Sequence, residues 1–480
     1  MTKKITGFTV LSLLLYKWLV LASGCAQIIP PTGGPRDTLP PVMLSAVPRD
    51  STLNFTGNKI TLKFDEYVQL DRPETQLIVS PVPKISPLIE AKLKEVTIKI
   101  KDTLEENTSY SINFGRSLKD INEGNPAGQF TYLFSTGSYL DSSSLMGKVI
   151  VAETGRPDST LIVMLHRNFE DSAVSKEKPR YFTRLDSSGV FRFNNLAPGR
   201  YNIFALKDEG GQKMYMRGSD LFAFYDSILT IGTENIQPIL YAFAEGPEEK
   251  RPTGSATTKK DKKLSYSTSL EGGQQDLLSN LTLTFSEPLD IFDTEKVHFT
   301  DTLFQPVSGL KFESDTSKKV FTLSYPWKEE QYFYRVLEKE AARDTSGTEL
   351  AKTDTIRFQT KKNSDYGKLK IRLQNSDTAQ HTVLLFYKGD KIVESAAVTG
   401  KEVNYPLFPP GDYEIRILYD ENGNGRWDTG NYWLKIQPEK IVSNARKYTI
   451  RANWDNEITI ELPLQPPADR IGGSVEASGK

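Results

Sequence analysis

An all-β protein, a tandem array of four β-sandwich modules, is predicted by three features of the chain. Apolar and polar residues alternate with period two in many short runs, of which Lys59-Ile-Thr-Leu-Lys-Phe is the clearest. Gly, Pro and Asn turns separate those runs at short intervals. The second half of the sequence also repeats the first. Leu281-Thr-Leu-Thr-Phe-Ser-Glu-Pro-Leu parallels Ile60-Thr-Leu-Lys-Phe-Asp-Glu-Tyr-Val, and residues 410–420 align without a gap on 198–208. No long apolar stretch of period 3.6 follows the first two dozen residues.

The opening segment sets the address. Met1-Thr-Lys3-Lys4 is a short positive start, residues 5–22 are mostly apolar, and small residues follow. That layout is a secretory signal. Leu21-Ala22-Ser23-Gly24-Cys25 resembles the lipobox of bacterial lipoproteins. The resemblance implies acylation of the Cys25 thiol, as by palmitate, and cleavage before it. The partner of the N-terminus is then a membrane. The alternative, an uncleaved spanning helix, places Lys17 in its apolar run at a cost of about 2.5–3.5 kcal/mol. Cys25 is the single cysteine in 480 residues, so the exported part needs no disulfide.

The signal is assigned to 1–24 and a stiff Pro/Gly tether to 25–41. Its Gly-Gly-Pro-x-Asp-x-x-Pro-Pro run, from Gly33, is similar to tethers of Bacteroidetes lipoproteins. Module one is assigned to 42–137. Its order Phe64-Asp-Glu66, Tyr110, Asp120 with Gly124-Asn-Pro126, and Phe134-Ser-Thr136 resembles the bacterial Ig-like domain first described in S-layer proteins. Module two, 138–245, carries Asp186-Ser-Ser-Gly-Val-Phe-Arg-Phe and Leu196-Ala-Pro-Gly-Arg-Tyr. These are similar to the carboxypeptidase regulatory-like domain, a transthyretin-like sandwich. Gly189 and Gly199 suit turn dihedrals that other residues resist. Residues 246–264 read as a linker, including the solvated run Lys259-Lys-Asp-Lys-Lys. Module three, 265–361, repeats module one. Module four, 362–464, repeats module two. A Pro, Gly and Ser tail fills 465–480 and is expected to be disordered.

Lys plus Arg number 60 against 61 Asp plus Glu, so no strong field favours nucleic acid. The sharpest chemical motif is Asp420-Glu-Asn422-Gly-Asn424-Gly-Arg426-Trp-Asp428. Asp420, Asn422, Asn424, the Arg426 carbonyl and Asp428 fit the first five ligand places of an EF-hand calcium loop. The twelfth place is Asn431 and not a bidentate Glu, and the flanks read as strands. Module two keeps the loop length from Asp208 to Met216 but has lost two of the oxygens. Two readings stand: a structural hairpin turn, and a weak calcium site. No other cofactor is expected.

His166, His298 and His381 fall in three different modules, so no catalytic or zinc cluster is expected. Glu66 and Glu287 occupy matching places in modules one and three, which points to a structural role. Trp327, Trp427, Trp433 and Trp454 are read as packing, with a sugar-stacking platform as the alternative. The chain is therefore read as a non-catalytic cell-envelope lipoprotein with a binding or scaffolding role, its modules forming a spacer. The expected partner is an envelope protein or polysaccharide. The alternatives are a carbohydrate-binding accessory protein and a hydrolase-associated lipoprotein. The expected location is the outer membrane, with the periplasmic face favoured because no acidic cluster directly follows Cys25.

Overall fold

The computed structural model describes residues 36–128, 130–232, 236–246, 263–375 and 381–463. The signal segment, Cys25, the tail 465–480, most of the tether and most of the linker lie outside the described residues. The regular structure of the described chain is almost all strand, with a few short helical turns, and the chain divides into two compact units.

The first unit comprises residues up to Leu77, with Ile85–Thr103 and Ile112–Leu133. Its main sheet is antiparallel, in the order Met43–Val47, Lys59–Phe64, Glu95–Lys99, Leu88–Lys92. The period-two run behaves as written: Ile60, Leu62 and Phe64 are buried, and Lys59 and Lys63 are exposed. Phe64 meets Phe130 edge-on at 5.8 Å, and Phe130 also packs on Phe114. A two-stranded ribbon pairs Val68–Leu70 with Leu118–Asp120.

The second unit takes in Ile78–Lys84, Leu104–Ser111 and the chain from Phe134. Module two forms two sheets. One has the order Val190–Leu196, Ser143–Val151, Ile239–Ala242, closed by a parallel pair. The other runs Tyr181–Arg184, Ile162–His166, Gly199–Leu206, Phe222–Phe224. Module four repeats this topology. Its sheets run Glu402–Phe408, Gly367–Gln374, Asp455–Glu461, again with a parallel closure, and Lys391–Ala397, Thr382–Lys388, Gly411–Tyr419, Lys440–Ile450. The Pro-Gly-x-Tyr motif has the same use in both. Tyr201 donates its hydroxyl to the Ala197 carbonyl at 2.8 Å, and Tyr413 to the Pro409 carbonyl at 2.9 Å. Gly199 and Gly411 precede them at φ +144° and +147°, where a side chain would be strained.

Module three has two four-stranded sheets. They run Tyr266–Thr268, Leu281–Phe285, Val320–Ser324, Lys311–Ser314, and Gln274–Gln275, Asp354–Thr360, Tyr332–Leu337, Val297–Thr300. Phe285, Phe321, Phe333, Phe358 and Trp327 fill the core between them.

The structure departs from a simple spacer at modules two and four, which pack directly on each other. Strand Ile162–His166 is buried on both faces. Its odd positions face the sandwich core with Phe191 and Tyr201. Its even positions join a second cluster with Phe204, Phe222, Phe224, Phe243 and Tyr432, the last from module four. An apolar second sheet face must be covered, and module four covers it.

Candidate functional site

The loop between Gly411–Tyr419 and Lys440–Ile450 carries the sequence-predicted site and the junction together. Asp420 follows the first strand and is buried. Its Oδ1 accepts from the backbone N–H of Gly423 at 2.7 Å and of Asn424 at 3.2 Å, and its Oδ2 from Gly425 at 2.6 Å. Gly423 and Gly425 adopt φ +74° and +76°, the left-handed turns that make those N–H groups converge. Asn424 Oδ1 accepts from the Arg426 N–H, and the Asn422 and Asn424 amides both donate to Asp428 Oδ2.

Sequence reasoning missed Glu439. It lies at the far end of the loop, and its two carboxylate oxygens accept from the Glu421 and Asp428 N–H groups at 2.8 and 2.9 Å. Burial pushes its carboxyl above the usual range, and the neighbouring Asp420 and Asp428 add to the shift. Its backbone carbonyl accepts from Trp427 Nε1 at 2.8 Å. The loop thus brings Asp420, Asn422, Asn424 and Asp428 together, with Glu439 as a further carboxylate. Among the described residues, no group of three or more His, Cys, Asp or Glu side chains is arranged to hold a metal ion.

The same loop then enters module two. The Tyr432 ring sits edge-on to Phe222 at 5.1 Å, Phe224 at 5.4 Å and Phe204 at 5.8 Å. Its hydroxyl donates to the Asp171 carbonyl at 3.0 Å, and its N–H to Glu245 Oε1 at 2.7 Å. Lys435 caps the ring, with Nζ 3.8 Å from its centre and an ion pair to Asp171 at 2.5 Å. Thr429 donates to the Ala244 carbonyl, and Gln437 to the Phe224 carbonyl and Asp226. A second contact joins the 152–156 turn to strand Lys440–Ile450. There the Ile441 N–H donates to the Ala152 carbonyl at 3.2 Å, and Arg156 pairs with Glu414. Gly155 is required at that crossing: a Cβ would stand 2.5 Å from the Ile441 carbonyl oxygen.

The continuous apolar runs Leu161-Ile-Val-Met-Leu165 and Val383-Leu-Leu-Phe-Tyr387 were the available signal for this junction. A strand with one wet face alternates, whereas one covered on both faces does not.

Modules one and three share a carboxylate-capped turn. Asp120 accepts three backbone N–H groups, from Glu123, Gly124 and Asn125. Burial opposes its ionisation, but those donors outweigh it and hold the carboxyl below the usual range. Asp344 caps the matching turn of module three, accepting from Ser346 and Thr348. Residues 37–136 match the family model of the bacterial Ig-like domain.

No curated protein matches the chain. Among solved structures, it is similar to native alpha-2-macroglobulin from Escherichia coli spanning domains MG0-NIE-MG1, at 14% identity over 38% of this chain and 72% of that chain, TM-score 0.20. It is similar to the Bacillus anthracis TIE protein at 12% identity, covering 90% of this chain and 75% of that one, TM-score 0.15. A third is BcpA, the major pilin subunit of Bacillus cereus, at 11% identity, 67% of this chain and 99% of that chain, TM-score 0.16. Likenesses of this size carry no functional argument.

In the Ig-like domain, burial pushes the Glu66 carboxyl up, with Asp120 and Asp65 adding to it. Glu66 and Glu287 lie in separate units. The histidines stay apart. His166 is buried against Phe204, His298 pairs with Glu338 at the surface, and His381 precedes strand Thr382–Lys388 instead of lying within it. Trp327 is buried in module three, and Trp427 is held by Glu439 and the second face of module four. Only Trp433 and Trp454, of the four weighed as a sugar platform, are exposed.

Proposed function

We propose that this chain is a non-catalytic scaffold of a bacterial cell envelope, lipid-anchored through Cys25 in the outer membrane and facing the periplasm. The observation that carries this reading is the Tyr432 junction. It holds two sandwich modules as one block, on the same loop that carries the Asp420–Asp428 turn. The Ig-like match at 37–136 supports a scaffold built from sandwich modules. Among the described residues, no helix is long and apolar enough to cross a membrane.

The test is protease shaving of intact cells with a tag after Lys480, run beside a Cys25→Ala variant. The expected result is a tag that survives until the outer membrane is opened, and a variant that no longer fractionates with membranes. A tag lost from intact cells overturns the periplasmic placement. A Cys25→Ala chain that remains membrane-bound overturns the lipid anchor.

A further inference from the structure

We propose that strand Lys391–Ala397 and the turn at residues 301–306 are the two halves of a contact between two copies of this chain. The template lies within the chain itself. Strand Tyr181–Arg184 is the edge of its sheet in module two, and an unpaired edge invites another backbone. Here it is covered by the module-one segment Ile78–Lys84, which belongs to the same compact unit. The Val82 N–H donates to the Arg180 carbonyl at 2.9 Å. Ile78 and Val82 pack on the cluster that contains Phe182. Arg180 pairs with Glu105 beside them.

The repeat supplies both partners again, and both are bare. In module four the equivalent edge is Lys391–Ala397, exposed along nearly its whole length. Val393 takes the place of Arg180: each immediately precedes the residue paired with the matching strand position, Glu394 on Phe386 and Tyr181 on Leu165. Ile392 and Val393 are about half exposed, at 51% and 49%. In module three the element equivalent to Ile78–Ser80 is edge strand Val297–Thr300, and the turn that follows it presents Leu303 and Phe304, 74% and 70% exposed.

Phe304 is held at φ +57° and stacks one face on Tyr334 at 5.2 Å. A left-handed phenylalanine that leaves most of its ring in water is a strained arrangement that folding alone does not reward. Module three meets module four elsewhere, where the Leu277 N–H donates to Tyr366 Oη at 2.7 Å. Within one copy, both the turn and the strand stay exposed. Between two copies, each turn can reach the other's strand, giving two identical contacts about a two-fold axis. The interface already made inside the chain between Ile78–Lys84 and Tyr181–Arg184 is the pattern for it. This inference is independent of where the protein is anchored.

The test is the mass of the full chain in non-ionic detergent, by sedimentation equilibrium over a range of concentrations. A reversible dimer is expected. Phe304→Lys and Val393→Lys, both at exposed positions, should each weaken it by about a hundredfold, because each of the two identical contacts loses an anchor worth about tenfold. Mixing the two variants should restore a heterodimer, because one turn and one strand remain intact across the pair. A wild-type chain that stays monomeric overturns the proposal. So do variants that dimerise as well as wild type, or a mixture no better than either variant alone, because nonspecific stickiness gives no complementation.

Discussion

The hydroxyl of Tyr432 donates to the carbonyl of Asp171 at 3.0 Å, across 261 residues of sequence. Between them lie the linker and the whole of module three. Closing so long a loop costs conformational entropy that grows only slowly with length, so one well-filled contact offsets it. Tyr432 has the chemistry for that contact. Its ring is surrounded by Phe204, Phe222 and Phe224, and its one polar atom finds an acceptor. Burial raises its hydroxyl pKa, so the donor stays protonated at all ordinary pH values.

Tyr432→Ala should undock modules two and four. Truncating a buried aromatic costs about 3–5 kcal/mol, whereas Tyr432→Phe loses one hydrogen bond and should cost about 1 kcal/mol. Urea unfolding of the full chain should show the modules melting together in wild type and in Tyr432→Phe, and separately in Tyr432→Ala. A single unchanged transition in Tyr432→Ala would show that the remaining contacts, those of Thr429, Lys435, Gln437 and the 152–156 turn, hold the modules without the ring.

The sandwich fold was legible because core-facing alternation is a local signal: Lys59–Phe64 needs only its own six residues to declare its buried face. The Asp420 turn was legible for the same reason, since Asn and Gly at fixed offsets dictate a backbone path. Glu439 was not, because it reaches the loop from 19 positions after Asp420 and no local pattern marks it. Tyr432 read as one aromatic among many in a loop. What it docks on is decided by a face built from Ile162, Phe204 and Phe222, which are distant in sequence. The unbroken apolar run Leu161-Ile-Val-Met-Leu165 announced that a second face was covered, but not by what.

Arg335 is a fully buried cation whose Nη2 donates to Tyr266 Oη and to Asp354 Oδ2, at 2.5 and 3.2 Å. Its Nε and Nη1 have no hydrogen-bond partner among the described residues. Module one has Ile112 in the corresponding strand position, so the fold does not require an ion there. Removing only the carboxylate strands the guanidinium, at a cost of about 3 kcal/mol or more. Asp354→Ala should therefore be strongly destabilising, and Arg335→Met with Asp354→Ala should recover most of the loss in a denaturant titration. A double variant as unstable as the single one would mean that the ion pair itself holds module three.

His166 predicts the acid limb of stability. Its ring is buried against Phe204, Nε2 has no partner among the described residues, and burial lowers its pKa from 6.5 to about 4. The folded state thus binds the proton less readily than the unfolded chain. The contribution of neutral His166 is fully present above pH 6.5 and is lost as the pH falls toward 4. At 1.36 kcal/mol per pKa unit, the loss is about 3 kcal/mol. His166→Leu should flatten the stability profile in that window relative to wild type, as read from melting temperatures at pH 7 and pH 4.5. Parallel profiles would remove His166 from the acid response.

Calcium at the Asp420–Asp428 turn remains a proposal: Asp420, Asp428 and Glu439 are not arranged as a metal site, so a bound ion requires the loop to rearrange. Three carboxylates, Asp420, Asp428 and Glu439, act on one short loop, and Glu439 is pushed up first by burial and then by the other two. A bound cation would relieve that repulsion. Turning over the Asn422 and Asn424 amides would present their oxygens in place of the NH₂ groups now donated to Asp428. Few formal charges make the site weak, with Kd about 0.1–1 mM as in extracellular calcium modules. At a tenfold excess over Kd the gain is about 1.4 kcal/mol by mass action. That is a rise of a few degrees in the melting temperature of the block that contains the loop. Asp428→Asn should abolish the rise while leaving the calcium-free melting temperature unchanged or slightly higher, because it removes one of the repelling charges. Melting curves that ignore millimolar calcium would leave the loop as a turn whose carboxylates serve only to tie its own backbone and aim Tyr432 at module two.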